Sequence, residues 1–100
     1  MVREINDNEF NKLISKDEKV VIDCYAVWCG PCKMLSPIID ELATELSNIK
    51  FYKLNVDESE EVVNKYQIMS IPTILIFENG ELKQKEVGFK SKDQLLDILK

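Results

Sequence analysis

Apolar residues change their period several times along this chain, and each change marks an element. Val20 to Ala26 is apolar almost without a break, the pattern of a central parallel strand covered on both faces, and Asp23 interrupts it. Beyond it, Leu35, Ile38, Ile39, Leu42 and Leu46 recur at helical spacing. That stripe predicts a helix from about Cys32 to Ser47, kinked by Pro37 inside it. Val2 to Ile5 reads as an edge strand. Asn6 with Glu9 three residues on reads as a capping box ahead of Phe10, Leu13 and Ile14 on one helical face. Lys50 to Val56 reads as a strand, and Ser59 to Tyr66 as a short helix turning Val62, Val63 and Tyr66 inward. Thr73 to Glu78 and Glu81 to Val87 flank Asn79-Gly80, a favoured hairpin turn. Ser91 with Gln94 forms a second capping box, opening a terminal helix that buries Leu95, Leu96 and Leu99. The order is βαβαβα followed by ββα, which predicts an α/β domain with a mixed sheet and helices on both of its faces.

Composition narrows the setting. A chain of 100 residues predicts one domain, residues 1–100, with a core that needs no staples. The 45% apolar and 31% charged fractions are those of an ordinary soluble protein. A net charge of −5, no histidine and no cluster of Lys and Arg argue against a nucleic-acid partner. The N-terminus carries no apolar run of the secretory kind, and no window approaches a membrane span. The expected setting is therefore the cytoplasm, away from membranes, where structural disulfides are rare. Three cysteines are an odd number and do not suit a disulfide scaffold. A monomer is expected.

The chemistry concentrates in Trp28-Cys29-Gly30-Pro31-Cys32, at the junction of the apolar strand and the amphipathic helix. A thiol there can be ionised and has a second thiol near enough to close a disulfide. The cysteine spacing alone also serves zinc knuckles, so half of a zinc site and a structural disulfide are the rival readings. Four-ligand zinc needs partners beyond three cysteines in a chain without histidine, and no metal is expected.

The run Val21-Ile22-Asp23 to Trp28-Cys29-Gly30-Pro31-Cys32-Lys33-Met34 resembles the thioredoxin family. The likeness continues through Pro37, Lys53-Leu54-Asn55-Val56-Asp57, Ile71-Pro72-Thr73, Asn79-Gly80 and Val87-Gly88, in the family's order. It implies a thioredoxin fold, a five-stranded mixed sheet covered by four helices. The implied activity is protein disulfide reduction through a redox-active Cys29–Cys32 pair, with no other cofactor. Two places depart from the family pattern. Cys24-Tyr25 stands where two aromatics, often Phe-Trp, are common, and Met69-Ser70 stands where other members carry a basic residue or glycine.

Disulfide reduction needs a thiolate that attacks a substrate sulfur and a second thiol that resolves the mixed disulfide. Attack falls to Cys29, expected just before the helix, exposed at its positive end, and resolution to Cys32, expected one turn in and more buried. Gly30 and Pro31 permit the tight turn. Asp23, a carboxylate in a buried strand, is expected to bind its proton tightly and to take the Cys32 proton, through water. The resemblance gives it that role; a structural aspartate is the bland alternative. Lys53 is read as an ion-pair partner that tunes Asp23, or as a surface lysine with a buried stem. The resemblance implies a cis bond before Pro72. It also implies an apolar substrate surface built from Trp28, Gly30, Pro31, Ile71, Pro72, Val87 and Gly88. Core packing for Val87 and simple strand termination for Gly88 remain alternatives. Cys24, next to Asp23 on the strand, is expected to face the other way as a small buried hydrophobe. Lys33 and Met34 flank the site; Lys33 reads as a solvated first-turn lysine, or as a charge that favours the Cys29 thiolate or helps dock a reductase.

The function expected is a protein disulfide reductase of the cytosol. By the resemblance its clients include ribonucleotide reductase, peroxiredoxins and methionine sulfoxide reductases. No nucleotide fingerprint occurs, so electrons must come from another protein, a thioredoxin reductase. An oxidase or isomerase of the secretory pathway more often has His at the second intervening position, where this chain has Pro31. A binding module that uses the same apolar surface is the non-enzymatic alternative.

Overall fold

The computed structural model of the chain describes residues 2–15 and 18–100. Its centre is the apolar run, which forms β2 (Lys19–Tyr25). On one side β2 pairs in parallel with β3 (Ile49–Asn55), which in turn pairs with the edge strand β1 (Arg3–Ile5). On the other side it pairs antiparallel with β4 (Thr73–Glu78), and β4 with β5 (Glu81–Val87). The result is a mixed five-stranded sheet of order β1-β3-β2-β4-β5.

Strand alternation divides the core in two. Val21, Phe51, Ile74 and Ile76 face Leu35, Ile39 and Leu42 of α2 (Gly30–Glu45) and Leu95 and Leu99 of α4 (Lys92–Leu99). Val20, Ile22, Leu54, Leu75 and Phe77 face Phe10 and Ile14 of α1 (Asp7–Ile14) and Val62 of α3 (Glu60–Lys65). Phe10, Tyr66 and Phe77 meet there at centroid distances of 5.4–5.5 Å, two of the three pairs edge to face. That arrangement suits the ring quadrupoles.

Helix ends show where local pattern and tertiary structure part. Ser91 and Gln94 close the expected reciprocal box on α4. At α1 only half of the box forms. Asn6 accepts from the Glu9 amide at 3.1 Å, while the Glu9 carboxylate turns to Arg3, a full charge that outcompetes a return bond to a backbone amide. Ser59 makes no side-chain cap on α3. Asp7 replaces it across the fold, its carboxylate accepting from the Glu61 and Val62 amides at 3.1 and 3.2 Å. A 3-10 turn over Val56–Glu58 precedes α3, which is shorter than its apolar pattern suggested. The helix α2 starts at Gly30, two residues before the expected Cys32, and runs through Pro37. Asn79 and Gly80 both hold positive φ, 53° and 83°, as the two-residue hairpin between β4 and β5 requires. A bulge at Ile76/Phe77 shifts the ladder, and β5 is exposed along nearly its whole length.

Candidate active site

The loop from Ala26 to Cys29 carries the chain from the end of β2 into α2. Cys29 is the N-cap of that helix, in extended conformation at φ −93° and ψ 114°, and its Sγ accepts from the Cys32 amide at 3.2 Å. Pro31 sits in the first turn, where its missing N–H leaves nothing unpaired. Cys29 and Cys32 are joined as a disulfide with their Cα atoms 5.3 Å apart. The first-turn amides and the helix dipole favour negative charge on sulfur at the Cys29 position. The expected exposure of Cys29 is not seen in this oxidised form. Cys29 is 5% and Cys32 3% exposed, because Ala26, Tyr25, Val56 and Ile71 pack around the pair. Accessibility therefore separates the two sulfurs little, and position on the helix separates them more.

Asp23 points to the α2 side of the sheet, and Cys24 to the opposite side, buried among Ile5, Ile22 and Leu54. The Cys24 thiol is pushed far up by burial and by the neighbouring Asp23 carboxylate, so it stays protonated and inert. Asp23 is 4% exposed, and its Oδ1 has no hydrogen-bond partner among the described residues. Burial raises its pKa from 3.8 to about 7; Lys53 works against that rise and Asp40 of α2 adds to it. A cavity of about 240 Å³ lies beside it, lined by Asp23, Tyr25, Cys32, Lys33, Ser36 and Lys53, among others. The cavity connects the carboxylate to Cys32 and has room for water.

Lys53 is the cross-strand register partner of Asp23. The expected ion pair is nonetheless open: among the described residues no carboxylate pairs directly with the Lys53 ammonium. The ammonium lies instead 5.8 Å from the ring centroid of Tyr25, whose π face attracts it. Its charge acts on Asp23 through space.

The loop before β4 completes the site. The Ile71-Pro72 bond is cis, and Ile71 packs against the cysteine pair. Pro72 is buried, and its carbonyl accepts from the Gly88 amide at 2.8 Å. Gly88 has φ 90°, while a Cβ built there meets nothing within 4 Å, so backbone conformation, not crowding, accounts for glycine at this strand end. On the segments that flank the cysteines, the cis bond and Gly88, the apolar side chains of Val27, Trp28, Met34, Met69, Val87 and Phe89 are all at least 40% exposed. Val87 is thus a surface residue. Gly30, Pro31 and Lys33 are exposed as well. The Trp28 indole N–H donates to Asp57 Oδ2 at 2.8 Å, which holds the ring beside a groove of about 230 Å³ lined by Val56, Met69 and Ile71 among others. Among the described residues no three acidic, cysteine or histidine side chains gather as metal ligands.

A family model described as Thioredoxin matches residues 1–100. The chain belongs to the thioredoxin family. Among its relatives, the thioredoxin of Rickettsia prowazekii (strain Madrid E) is 46% identical over 99 residues, covering 97% of this chain and 94% of the relative. The thioredoxin of Mycoplasmoides gallisepticum is 43% identical over 95 residues, 95% of each chain. The chloroplastic M-type thioredoxin of Pisum sativum is 49% identical over 96 residues, covering 94% of this chain and 56% of that protein. Membership of the thioredoxin family and the joined Cys29–Cys32 pair make the protein a dithiol–disulfide oxidoreductase. Proteins of the thioredoxin family work through these cysteines and need no cofactor. The present member has, among its described residues, no helix long and apolar enough to cross a membrane.

Sequence reasoning placed Met34 beside the site and Met69 where client preference is set, but passed over Asp57, Val27 and Phe89 as parts of the site's surroundings. For Asp57 the only signal was its place at the end of the third-strand motif. For Val27 and Phe89 it was their nearness in sequence to Trp28 and Gly88.

Proposed function

We propose that this protein reduces disulfides of cytosolic client proteins and acts as a monomer through one domain spanning residues 1–100. In the reduced enzyme the Cys29 thiolate attacks a client disulfide, forming a mixed disulfide and releasing one client thiolate, which picks up a proton. Asp23 takes the proton of Cys32, through water in the adjoining cavity, as Cys32 attacks Cys29. The second client sulfur leaves as a thiolate and takes up a proton, Asp23 returns its own proton to water, and the Cys29–Cys32 disulfide keeps the balance at two electrons. Trp28, Gly30, Pro31, Ile71, Pro72, Val87 and Gly88 form the surface on which the client lies, with the Ile71 backbone offered to an extended client segment. Lys53 tunes Asp23 from a distance.

The observation that carries this reading is the meeting of three features at one point. Cys29 caps α2, Cys32 lies one turn inside, and the buried Asp23 opens onto the same cavity as Cys32. Ribonucleotide reductase, peroxiredoxins and methionine sulfoxide reductases are the clients in view. A thioredoxin reductase returns the electrons. The cytoplasm suits a chain whose remaining cysteine, Cys24, is free and buried. The test is the reduction potential of the pair in a dithiothreitol or glutathione buffer, followed by fluorescence of Trp28, the single tryptophan. A potential of about −270 mV, the established figure for thioredoxin and not one worked out from this structure, is expected. A value of about −180 mV or above identifies an oxidant or isomerase and overturns the reductase reading.

A further inference from the structure

Glu4, Lys53 and Asp23 form a row across three adjacent strands. The register pairs Glu4 of β1 with Lys53 of β3, and Lys53 with Asp23 of β2. Paired residues of neighbouring strands stand about 4.8 Å apart on one face, so the lysine sits between two carboxylates that compete for it. Neither holds it in a direct ion pair. The Glu4 carboxylate instead accepts a hydrogen bond from the Tyr25 hydroxyl, and the ring of the same tyrosine lies beside the Lys53 ammonium, 5.8 Å from its centroid. Tyr25 follows Asp23 by two positions and faces the same way, lining the same cavity. One side chain therefore holds the competing carboxylate at its tip and the shared cation against its face.

The geometry points to Tyr25 and Glu4 as positioning residues that fix how much of the Lys53 charge reaches Asp23. The inference rests on Asp23 as the proton carrier of the proposed reaction. Tyr25 packs against the cysteine cluster, and its hydroxyl is directed to Glu4. The other groups around Asp23 do not supply this control. From α2 come Cys32, Lys33 and Asp40, of which Asp40 works against ionisation, while β4 offers the apolar Ile74 as register partner. Glu58, on the turn after β3, acts on the Tyr25 hydroxyl.

Tyr25→Phe keeps the ring and its packing but frees Glu4 to draw Lys53 away, so the Asp23 midpoint moves up. Glu4→Gln keeps an acceptor for the hydroxyl but removes the competing charge, so the midpoint moves down. A unit charge at roughly 10 Å in a partly screened setting shifts a midpoint by about 0.5 pH unit, and each change is of that order. In the double variant the Tyr25→Phe effect disappears, because no charge is left for the phenol to restrain. The experiment is titration of the Asp23 carboxyl carbon by NMR in the oxidised protein, wild type and the three variants, where no active-site thiol titrates alongside. Opposite shifts in the single variants, with the double variant matching Glu4→Gln alone, support the assignment. Absent shifts, shifts of one sign, or a Tyr25→Phe effect that survives Glu4→Gln overturn it. The pH profile of client reduction separates the underlying reading. A profile that stays fixed while the carboxyl midpoint moves removes Asp23 from proton transfer and leaves the positioning of Lys53 standing.

Discussion

Replacing Asp23 by alanine is expected to stabilise the oxidised protein at alkaline pH and to do little at acid pH. Below about pH 4 the carboxyl holds its proton in both folded and unfolded chains, and its titration affects neither. Between pH 4 and 7 the unfolded chain releases a proton that the folded chain retains, so rising pH favours unfolding. Above the folded midpoint of about 7 the whole penalty is present. From 3.8 to about 7, at about 1.4 kcal/mol for each pH unit, that penalty is ~4 kcal/mol. Truncation to alanine also removes packing at a site that is 4% exposed, a pH-independent loss of about 1 kcal/mol. The variant should therefore be the more stable protein by roughly 2–4 kcal/mol at pH 8.5, a gain in Tm on the order of 10 °C, and the slightly less stable one at pH 4. Urea unfolding of both proteins at the two pH values, followed by Trp28 fluorescence and circular dichroism, measures the change in the gap. Every other titrating group is common to both proteins and drops out of that double difference. A gap that is the same at both pH values, or that narrows as pH rises, refutes the account of Asp23 as a desolvated carboxyl.

Other substitutions report on other parts of the argument. Cys32→Ser is expected to stall as a covalent adduct through Cys29, visible by mass spectrometry, whereas Cys29→Ser forms none; an adduct on Cys32 in the latter reverses the roles. Asp7→Ala should destabilise the fold by about 1 kcal/mol in urea and speed amide exchange at Glu61 and Val62, since it leaves both amides uncapped. Unchanged exchange there would show that the cap contributes nothing. Met69→Lys, on the open rim of the Trp28 groove, should raise KM for a client with apolar flanks roughly threefold to tenfold at constant kcat. A loss confined to kcat places Met69 outside client docking.

The sequence carried those features that depend on near neighbours. Val20 to Ala26 announced β2 by apolar content, and two-residue alternation puts Asp23 and Cys24 on opposite faces, as the structure does. The Leu35 to Leu42 stripe announced α2 in the same way, and Asn79-Gly80 announced its turn. The cysteine pair was legible because the reacting groups and the helix start occupy five consecutive residues. Contacts between distant segments were not legible. Asp7 caps a helix that begins 53 positions later, and nothing in its own neighbourhood distinguishes that role from an ordinary first-turn acid. The pull of Tyr25 on Lys53 needs the register of β2 against β3, and pattern alone does not set it. The cover on Cys29 comes partly from Ile71 and Val56, which reach it only once the sheet is assembled.

The exposure of β5 has a consequence for how copies of this chain meet. An outer strand offers its free amides and carbonyls to any passing strand, and a flat apolar one recruits partners. Along β5, Glu81, Lys83, Lys85 and Glu86 place charges among the exposed Leu82 and Val87, and the bulge at Ile76/Phe77 throws the ladder out of step. A newcomer would have to desolvate those charges and follow a bent edge. At the opposite margin β1 spans three residues, too few to template an addition. The sheet is therefore closed to extension on both sides, and copies of this chain have no edge along which to add strand to strand.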